Sequence, residues 1–64
     1  MNMDERAANW SRRYPVGTQV LLRRDDGTET ETHVTSQAWV ISGRIVAKFS
    51  GVSGAYHVER ATKI

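Results

Sequence analysis

The sequence predicts a small all-β fold in which four to five short strands curl into a barrel behind a short N-terminal helix or arm. The chain has 64 residues, which is enough for one domain and one small core. Beyond Pro15 the apolar residues recur with a period of two, as in strands with one buried face. No second helical pattern is present to cover an open sheet, so its edges must be hidden by curling. We therefore expect an arm over residues 1–14 and a barrel over residues 15–64.

Composition excludes several classes of protein. The chain has no cysteine, which excludes disulfides and thiolate zinc sites as substitutes for a core. It has no apolar run near the ~18 to 20 residues that a membrane helix requires. The N-terminal segment also lacks the apolar stretch of a signal peptide. We expect a cytoplasmic protein without a cofactor and without a membrane partner.

The N-terminal segment predicts a short helix over residues 2–13. Acidic residues stand at positions 4–5 and arginines at positions 12–13, the order that suits a helix dipole. The apolar stripe is narrow, so Trp10 is the residue that would dock the helix on the rest of the domain. Pro15 ends the helix because it lacks an amide donor.

The first strand and its hairpin follow Pro15. Val16, Val20 and Leu22 are separated by even numbers of residues, which predicts a strand with these residues on its buried face. Residues 25–28 (DDGT) then predict a turn. An aspartate side chain can accept from the backbone ahead of it, and Gly27 can adopt a positive φ.

The segment after the turn is rich in threonine and valine and predicts an outer strand that is partly exposed to solvent. Alternation separates two sets, Thr28, Thr30, Thr32 and Val34 on one side and Glu29, Glu31 and His33 on the other. The chain becomes more apolar at residues 38–41, where we expect it to enter or bend around the core. Gly43 interrupts this run.

The pattern resumes beyond Gly43 and predicts a buried central strand. Alternation places Ile45, Ala47 and Phe49 on the core face and Arg44, Val46 and Lys48 on the other face. A flexible connection at residues 50–54 follows, and Tyr56 opens the last clear strand together with Val58. Residues 61–64 suit either a helical turn or a closing strand.

Charge and aromatic residues identify candidate partner-binding positions. The net charge is +2, and residues 1–32 carry five basic and six acidic side chains, whereas residues 33–64 carry four basic and one acidic. The second half is therefore the expected face for an anionic partner. The candidate residues are Trp39, Tyr56, Arg44, Lys48, Arg60 and Lys63. If Trp39 and Tyr56 share a surface with these cations, it would suit a peptide or single-stranded nucleic acid. The alternative, which we favour, is that Trp10 and Trp39 pack together and the N-terminal segment covers the barrel.

The residues do not favour catalysis or metal binding. His33 and His57 are the only histidines, the residue type that most often acts as a base at neutral pH, and neither belongs to a nucleophile motif. Glu29, Glu31 and His33 project from one side of a strand, but a fourth ligand is missing, so a solvated acidic face is the better interpretation. We expect no catalytic residue, no metal ligand and no cofactor-binding residue.

The chain resembles a known fold and a loose group of proteins. A glycine before the first strand (VGTQVLL), a long polar hairpin and a short final strand resemble the Src-homology-3-like (SH3-like) barrels, which include Tudor modules. The stretch from Trp10 also resembles short proteins of phages, prophages and plasmids. The matching elements are Trp10, YPVGT at residues 14–18, TSQAW at residues 35–39, the loop at residues 51–54 and HVE at residues 57–59. This resemblance implies a fold and a mobile-element origin and brings no activity with it.

A second resemblance concerns the plasmid-borne dihydrofolate reductases of drug-resistant type, which are small barrels that work as tetramers. Their pore motif V-Q-I-Y is absent, and the comparable strand here is AYHV at residues 55–58. The sequence therefore favours a non-enzymatic binding module, with a protein as the expected partner. The alternative is a nucleic-acid-binding module that uses the four cations of the second half. An unpaired strand edge would allow a monomer or a weak homodimer.

Overall fold

The computed structural model describes residues 2–64 as one helix and six short strands. The helix α1 spans Met3–Arg13, and the strands are β1 (Gln19–Arg23), β2 (Glu29–His33), β3 (Trp39–Ile41), β4 (Arg44–Ala47), β5 (Tyr56–His57) and β6 (Ala61–Lys63). A 3₁₀ turn at Val58–Arg60 joins β5 to β6. Two antiparallel three-stranded sheets result, with the orders β2-β1-β6 and β3-β4-β5. The prediction of a small, mostly β fold behind an N-terminal helix is confirmed.

Helix α1 begins and ends as its sequence predicts. The Asn2 side chain caps the first turn, because its Oδ1 accepts from the backbone N–H of Glu5 at 2.8 Å. At the other end, the Tyr14 N–H donates to the Trp10 carbonyl, and Pro15 follows. Ala7 and Trp10 are buried, so the helix docks through the predicted tryptophan. Within residues 2–64, no helix has the length and the hydropathy to cross a membrane.

The β1–β2 hairpin forms at the predicted turn. Asp26 Oδ1 accepts from the Thr28 N–H at 3.0 Å and from the Thr28 hydroxyl at 2.7 Å, and Gly27 has a φ of 87°. Val20 and Leu22 point inward and are fully buried. The prediction for Val16 is wrong: it precedes β1 and is 62% exposed, because the chain turns at Gly17 before the strand begins.

The two sheets are joined at one corner. Val34 and Phe49 form an antiparallel bridge, beside which the Thr35 N–H donates to the Lys48 carbonyl at 2.9 Å and the Ser50 N–H to the His33 carbonyl at 3.0 Å. The strands that are described do not close into a continuous barrel. Helix α1 packs against β3 and β4 instead and inserts Trp10 into the core. The single helix therefore covers part of the sheets.

One core lies between the sheets and beneath the helix. Val20, Leu22 and Val34 have no exposed surface, and Phe49 is 2% exposed, as predicted. The other members of the core are Trp10, Ala47, Val58 and Ala61, with the partly buried Tyr14, Ala38, Ile45, Val52 and Tyr56 packed against them.

The C-terminal residues resolve the choice that the sequence left open. Val58 does not extend β5 but begins the 3₁₀ turn. The chain then closes the first sheet as β6, in which Ala61 pairs with Leu22 and points into the core. Of the two alternatives, a helical turn or a closing strand, the strand is therefore correct for residues 61–63.

Candidate functional site

The candidate site is the outer face of the β3-β4-β5 sheet. Trp39 pairs with Val46 across β3 and β4, and Val46 pairs with His57 across β4 and β5. Paired residues of antiparallel strands project to the same face, so these three side chains form a row across the sheet. Val46 is only 8% exposed although it faces away from the core, because Trp39 and His57 flank it. The row is thus an apolar strip with a half-buried indole at one end.

Two cations border this row. Ile41 pairs with Arg44 and lies on the same face as Trp39, since residues two apart in a strand project alike. Lys48 continues the alternation beyond Val46, and both cations are exposed. Within residues 2–64, neither Arg44 nor Lys48 forms an ion pair, and none of the face's own residues is a carboxylate. The outer face therefore combines exposed apolar surface, with Ile41 49% exposed, and two free positive charges.

A tight turn holds Arg44 beside Ile41. Only Ser42 and Gly43 separate β3 from β4, and both have positive φ, 51° and 75°. Two consecutive positive φ angles are the signature of a type I′ turn, whose twist matches that of the flanking strands. The predicted break at Gly43 is therefore a hairpin turn that fixes the register of the outer face.

Tyr56 lies on the opposite face from Trp39. It pairs with Ala47, whose side chain is in the core, so the Tyr56 ring also points inward. Its hydroxyl accepts from Arg24 Nε at 3.4 Å, and the Arg24 guanidinium carbon lies 5.8 Å from the ring centroid. Tyr56 therefore does not share a surface with Trp39.

The last two cations of the candidate set belong to other neighbourhoods. Arg60 Nη1 lies 3.2 Å from Asp25 Oδ1, which links the 3₁₀ turn to the β1–β2 hairpin. Lys63 Nζ lies 5.2 Å from the centroid of the Tyr14 ring, beside the end of α1. Of the six candidate residues, the structure brings together only Trp39, Arg44 and Lys48.

The histidines stand apart from each other and from metal ligands. His33 is exposed at the end of β2, next to the corner where the two sheets meet. His57 is half-buried at the end of the row that it forms with Val46 and Trp39. In the described part of the chain, no three histidine or carboxylate side chains converge as a metal site would require. The described residues therefore hold no assembled metal centre.

A groove that the sequence did not indicate runs beside Trp39. It separates α1 from the edge of β3 and has a volume of about 420 Å³. Ala7, Ala8 and Ser11 form its helical wall, and Ala38 and Val40 form its strand wall. Trp10 does not pack on Trp39; its ring contacts are Tyr14 and Phe49, and Trp39 lines this groove instead. No sequence signal locates the groove, because the pattern does not say which strand the helix lies against.

The comparisons with known proteins add no relative: no protein-family model, curated protein or solved structure matches this chain. Its function must therefore be argued from the geometry of the outer face.

Proposed function

We propose that this chain is a non-enzymatic binding module that recognises a protein partner through the outer face of the β3-β4-β5 sheet. The observation that supports this best is the strip of Trp39 and Val46 beside Arg44, a cation without an ion pair in the described residues. Interfaces concentrate their free energy in a few aromatic and arginine residues next to apolar surface. The face offers both residue types, because Trp39 and Arg44 belong to the two same-face pairs of the β3–β4 hairpin.

The chemistry of this face defines the kind of partner. Trp39 and Ile41 leave apolar surface exposed to water, which a partner's apolar side chain would cover. Arg44 can bind a carboxylate through two parallel hydrogen bonds, and Lys48 adds a second positive charge. A segment that combines apolar and acidic side chains is therefore the partner that complements the face.

Selection from a displayed library of random peptides tests this proposal. We expect enriched peptides to contain apolar and acidic residues and to lose at least tenfold in affinity on Trp39→Ala and on Arg44→Glu. Matched controls are Val16→Ala, an exposed apolar residue away from the sheet, and Arg6→Glu, an exposed arginine on the helix. Peptides that bind all four variants equally well would show that the outer face is not the site.

A single-stranded nucleic acid is the second candidate partner, because the same three residues offer a base-stacking ring and two phosphate-binding cations. Stacking on an aromatic side chain contributes about 1–3 kcal/mol per base. Binding would then weaken steeply as salt is raised, since phosphate contacts release counterions. A titration with single-stranded and duplex DNA separates the two candidates. A salt-dependent complex that is lost in Lys48→Ala would favour the nucleic acid.

We also propose that the two sheets are an open variant of the SH3-like barrel that the sequence resembles. The bridge between Val34 and Phe49 supports this, because it joins the sheets where a barrel would be continuous. The mobile-element origin stays a prediction that rests on the motifs at Trp10, residues 14–18 and residues 35–39.

A further inference from the structure

We propose that the partner binds as an extended strand that pairs antiparallel with the free edge of β3, in the groove between β3 and α1. This inference rests on the proposed function and specifies how the partner binds next to the outer face. It names the occupant as a short peptide segment with a basic residue on its N-terminal side and an acidic residue on its C-terminal side.

The backbone of β3 supplies the first argument. A two-residue turn makes Ile41 and Arg44 a hydrogen-bonded pair, so the main-chain groups of Val40 point away from β4. The Ala38 N–H has the same outward direction and donates to Ser11 Oγ at 2.8 Å, which agrees with this assignment. Within residues 2–64, the Val40 N–H and C=O have no partner outside the sheet. They form a donor and acceptor pair that an added strand can use.

The small side chains that line the groove supply the second argument. An added strand lies about 4.8 Å from its neighbour, so the opposite wall must leave room for a chain. The helical wall consists of small side chains, Ala7, Ala8 and Ser11. A volume of about 420 Å³ falls within the range of peptide- and ligand-sized sites. The small walls leave space for a small side chain opposite Val40, whereas Ser11 already occupies the outward side of the strand at Ala38.

The charges at the groove's ends set the charge order of a peptide that pairs antiparallel with β3. Asp4 and Arg12 both line the groove and stand eight residues apart on α1, about 12 Å along the helix axis. Ser11, next to Arg12, contacts Ala38 at the start of the strand wall, so Asp4 lies towards its far end. A peptide antiparallel to β3 passes Asp4 first and Arg12 last. Its N-terminal side therefore calls for a cation and its C-terminal side for a carboxylate.

Alternation along the peptide completes the description. The residue opposite Val40 faces the helix and must be small, whereas its two neighbours lie opposite Trp39 and Ile41 on the outer face and can be apolar. The complementary segment has the order basic, apolar, small, apolar, acidic. This order connects the groove to the outer face through Trp39, which borders both.

The free edge of β2 provides a contrast. Register with β1 places the main-chain groups of Glu31 on the outward side of that edge, as for Val40 on β3. Glu29 and Glu31 are exposed there, and charged side chains protect an edge from pairing. The edge of β3 is therefore the better template, and that of β2 supplies a matched control.

The test uses the capped peptide Lys-Val-Ala-Val-Glu, with amide shift mapping and calorimetry on the full chain. Val40→Pro removes the outward N–H and leaves the hydrogen bonds between β3 and β4 in place. Glu31→Pro is the same change on the β2 edge. We expect saturable binding centred on Val40, at least tenfold weaker in Val40→Pro and unchanged in Glu31→Pro. The charge-swapped peptide Glu-Val-Ala-Val-Lys should bind at least threefold more weakly.

A second pair of variants covers the case in which Val40→Pro does not fold. Ala8→Phe fills the groove from an exposed helix position, and Glu5→Phe adds the same ring elsewhere on the helix. Loss of binding in Ala8→Phe alone supports strand addition. Absence of any binding to the wild type, or equal binding by all four variants, overturns it. If library-selected partners depend on Trp39 and Arg44 but not on Val40 or Ala8, strand addition is wrong and the proposed function stands.

Discussion

The rings of Trp10 and Tyr14 are parallel, with centroids 4.7 Å apart and planes 3° from each other. Trp10 also meets Phe49 edge to face, at a centroid distance of 6.4 Å. The two contacts together attach α1 to the core, because Trp10 is on the helix, Tyr14 is its C-cap residue and Phe49 belongs to the bridge between the sheets. Both arrangements are geometries that aromatic pairs prefer.

Trp10→Ala should therefore destabilise the whole domain. Removal of a buried tryptophan costs about 3–5 kcal/mol, which is a large part of the stability of so small a protein. Urea unfolding followed by circular dichroism measures the loss. Trp39→Ala is the matched control, since the Trp39 ring is half-buried on the outer face. We expect this variant to lose clearly less stability than Trp10→Ala. Equal losses would contradict the assignment of Trp10 to the core.

Ser11→Ala should loosen the contact between α1 and β3. The Ala38 N–H would lose its acceptor at a partly buried position, at a cost of about 1 kcal/mol. Hydrogen exchange at the Ala38 amide should become faster than in the wild type. Ser53→Ala, in an exposed loop, is the control and should leave this exchange unchanged. Unaltered exchange in Ser11→Ala would mean that the hydroxyl does not hold the strand.

Gly43→Ala should weaken the β3–β4 turn through backbone conformation alone. Gly43 has a φ of 75°, and an added Cβ would meet no atom within 4 Å. An L-residue in this region costs about 1–2 kcal/mol. The opposite change is Ser42→Gly, which relieves a residue at a φ of 51° and should preserve or raise the midpoint of unfolding. If the midpoint of unfolding fell as far in Ser42→Gly as in Gly43→Ala, backbone conformation would not be the explanation.

The β1–β2 turn should depend on pH through Asp26. Hydrogen bonds from the Thr28 hydroxyl, and then from its backbone N–H, lower the pKa of this carboxyl below its usual 3.8. A lowered folded-state pKa contributes stability above the unfolded value, and that contribution is lost as pH falls through the folded value. The free energies of unfolding of the wild type and of Asp26→Asn should therefore converge as the pH falls below about 4. Glu31→Gln is the control, because the Glu31 carboxylate accepts no hydrogen bond in residues 2–64. If the difference in stability between the wild type and Asp26→Asn did not change with pH, the role assigned to the Asp26 carboxylate would be wrong.

Local patterns predicted the parts of the fold that depend on neighbouring residues. The helix ends, the turn at Gly27 and the alternation through Phe49 follow from spacing and turn chemistry, and each is correct. The prediction for Val16 was wrong because the period of two in the sequence continues through Gly17, whereas the backbone turns there. The burial of Val46 was missed because it depends on cross-strand partners, which alternation within one strand does not reveal.

The candidate site was only partly accessible from the sequence. Trp39, Arg44 and Lys48 share a face because of strand register, and the turn at Gly43 was the available signal for it. Whether Tyr56 shares a face with Trp39 was left open, because the pairing of β4 with β5 has no sequence signature. The groove beside α1 depends on which strand the helix packs against, a tertiary choice that composition and spacing do not encode.

The acidic border of β2 has a consequence for self-association. Two molecules that met along this border would bring Glu29 and Glu31 of each against the same pair of the other, and like charges placed directly opposite repel. Concentrated solutions at neutral pH should thus stay free of ribbon-like stacking through that side. Ordered self-assembly through a free strand edge would have to use β3 instead, because its residues Trp39, Val40 and Ile41 carry no charge.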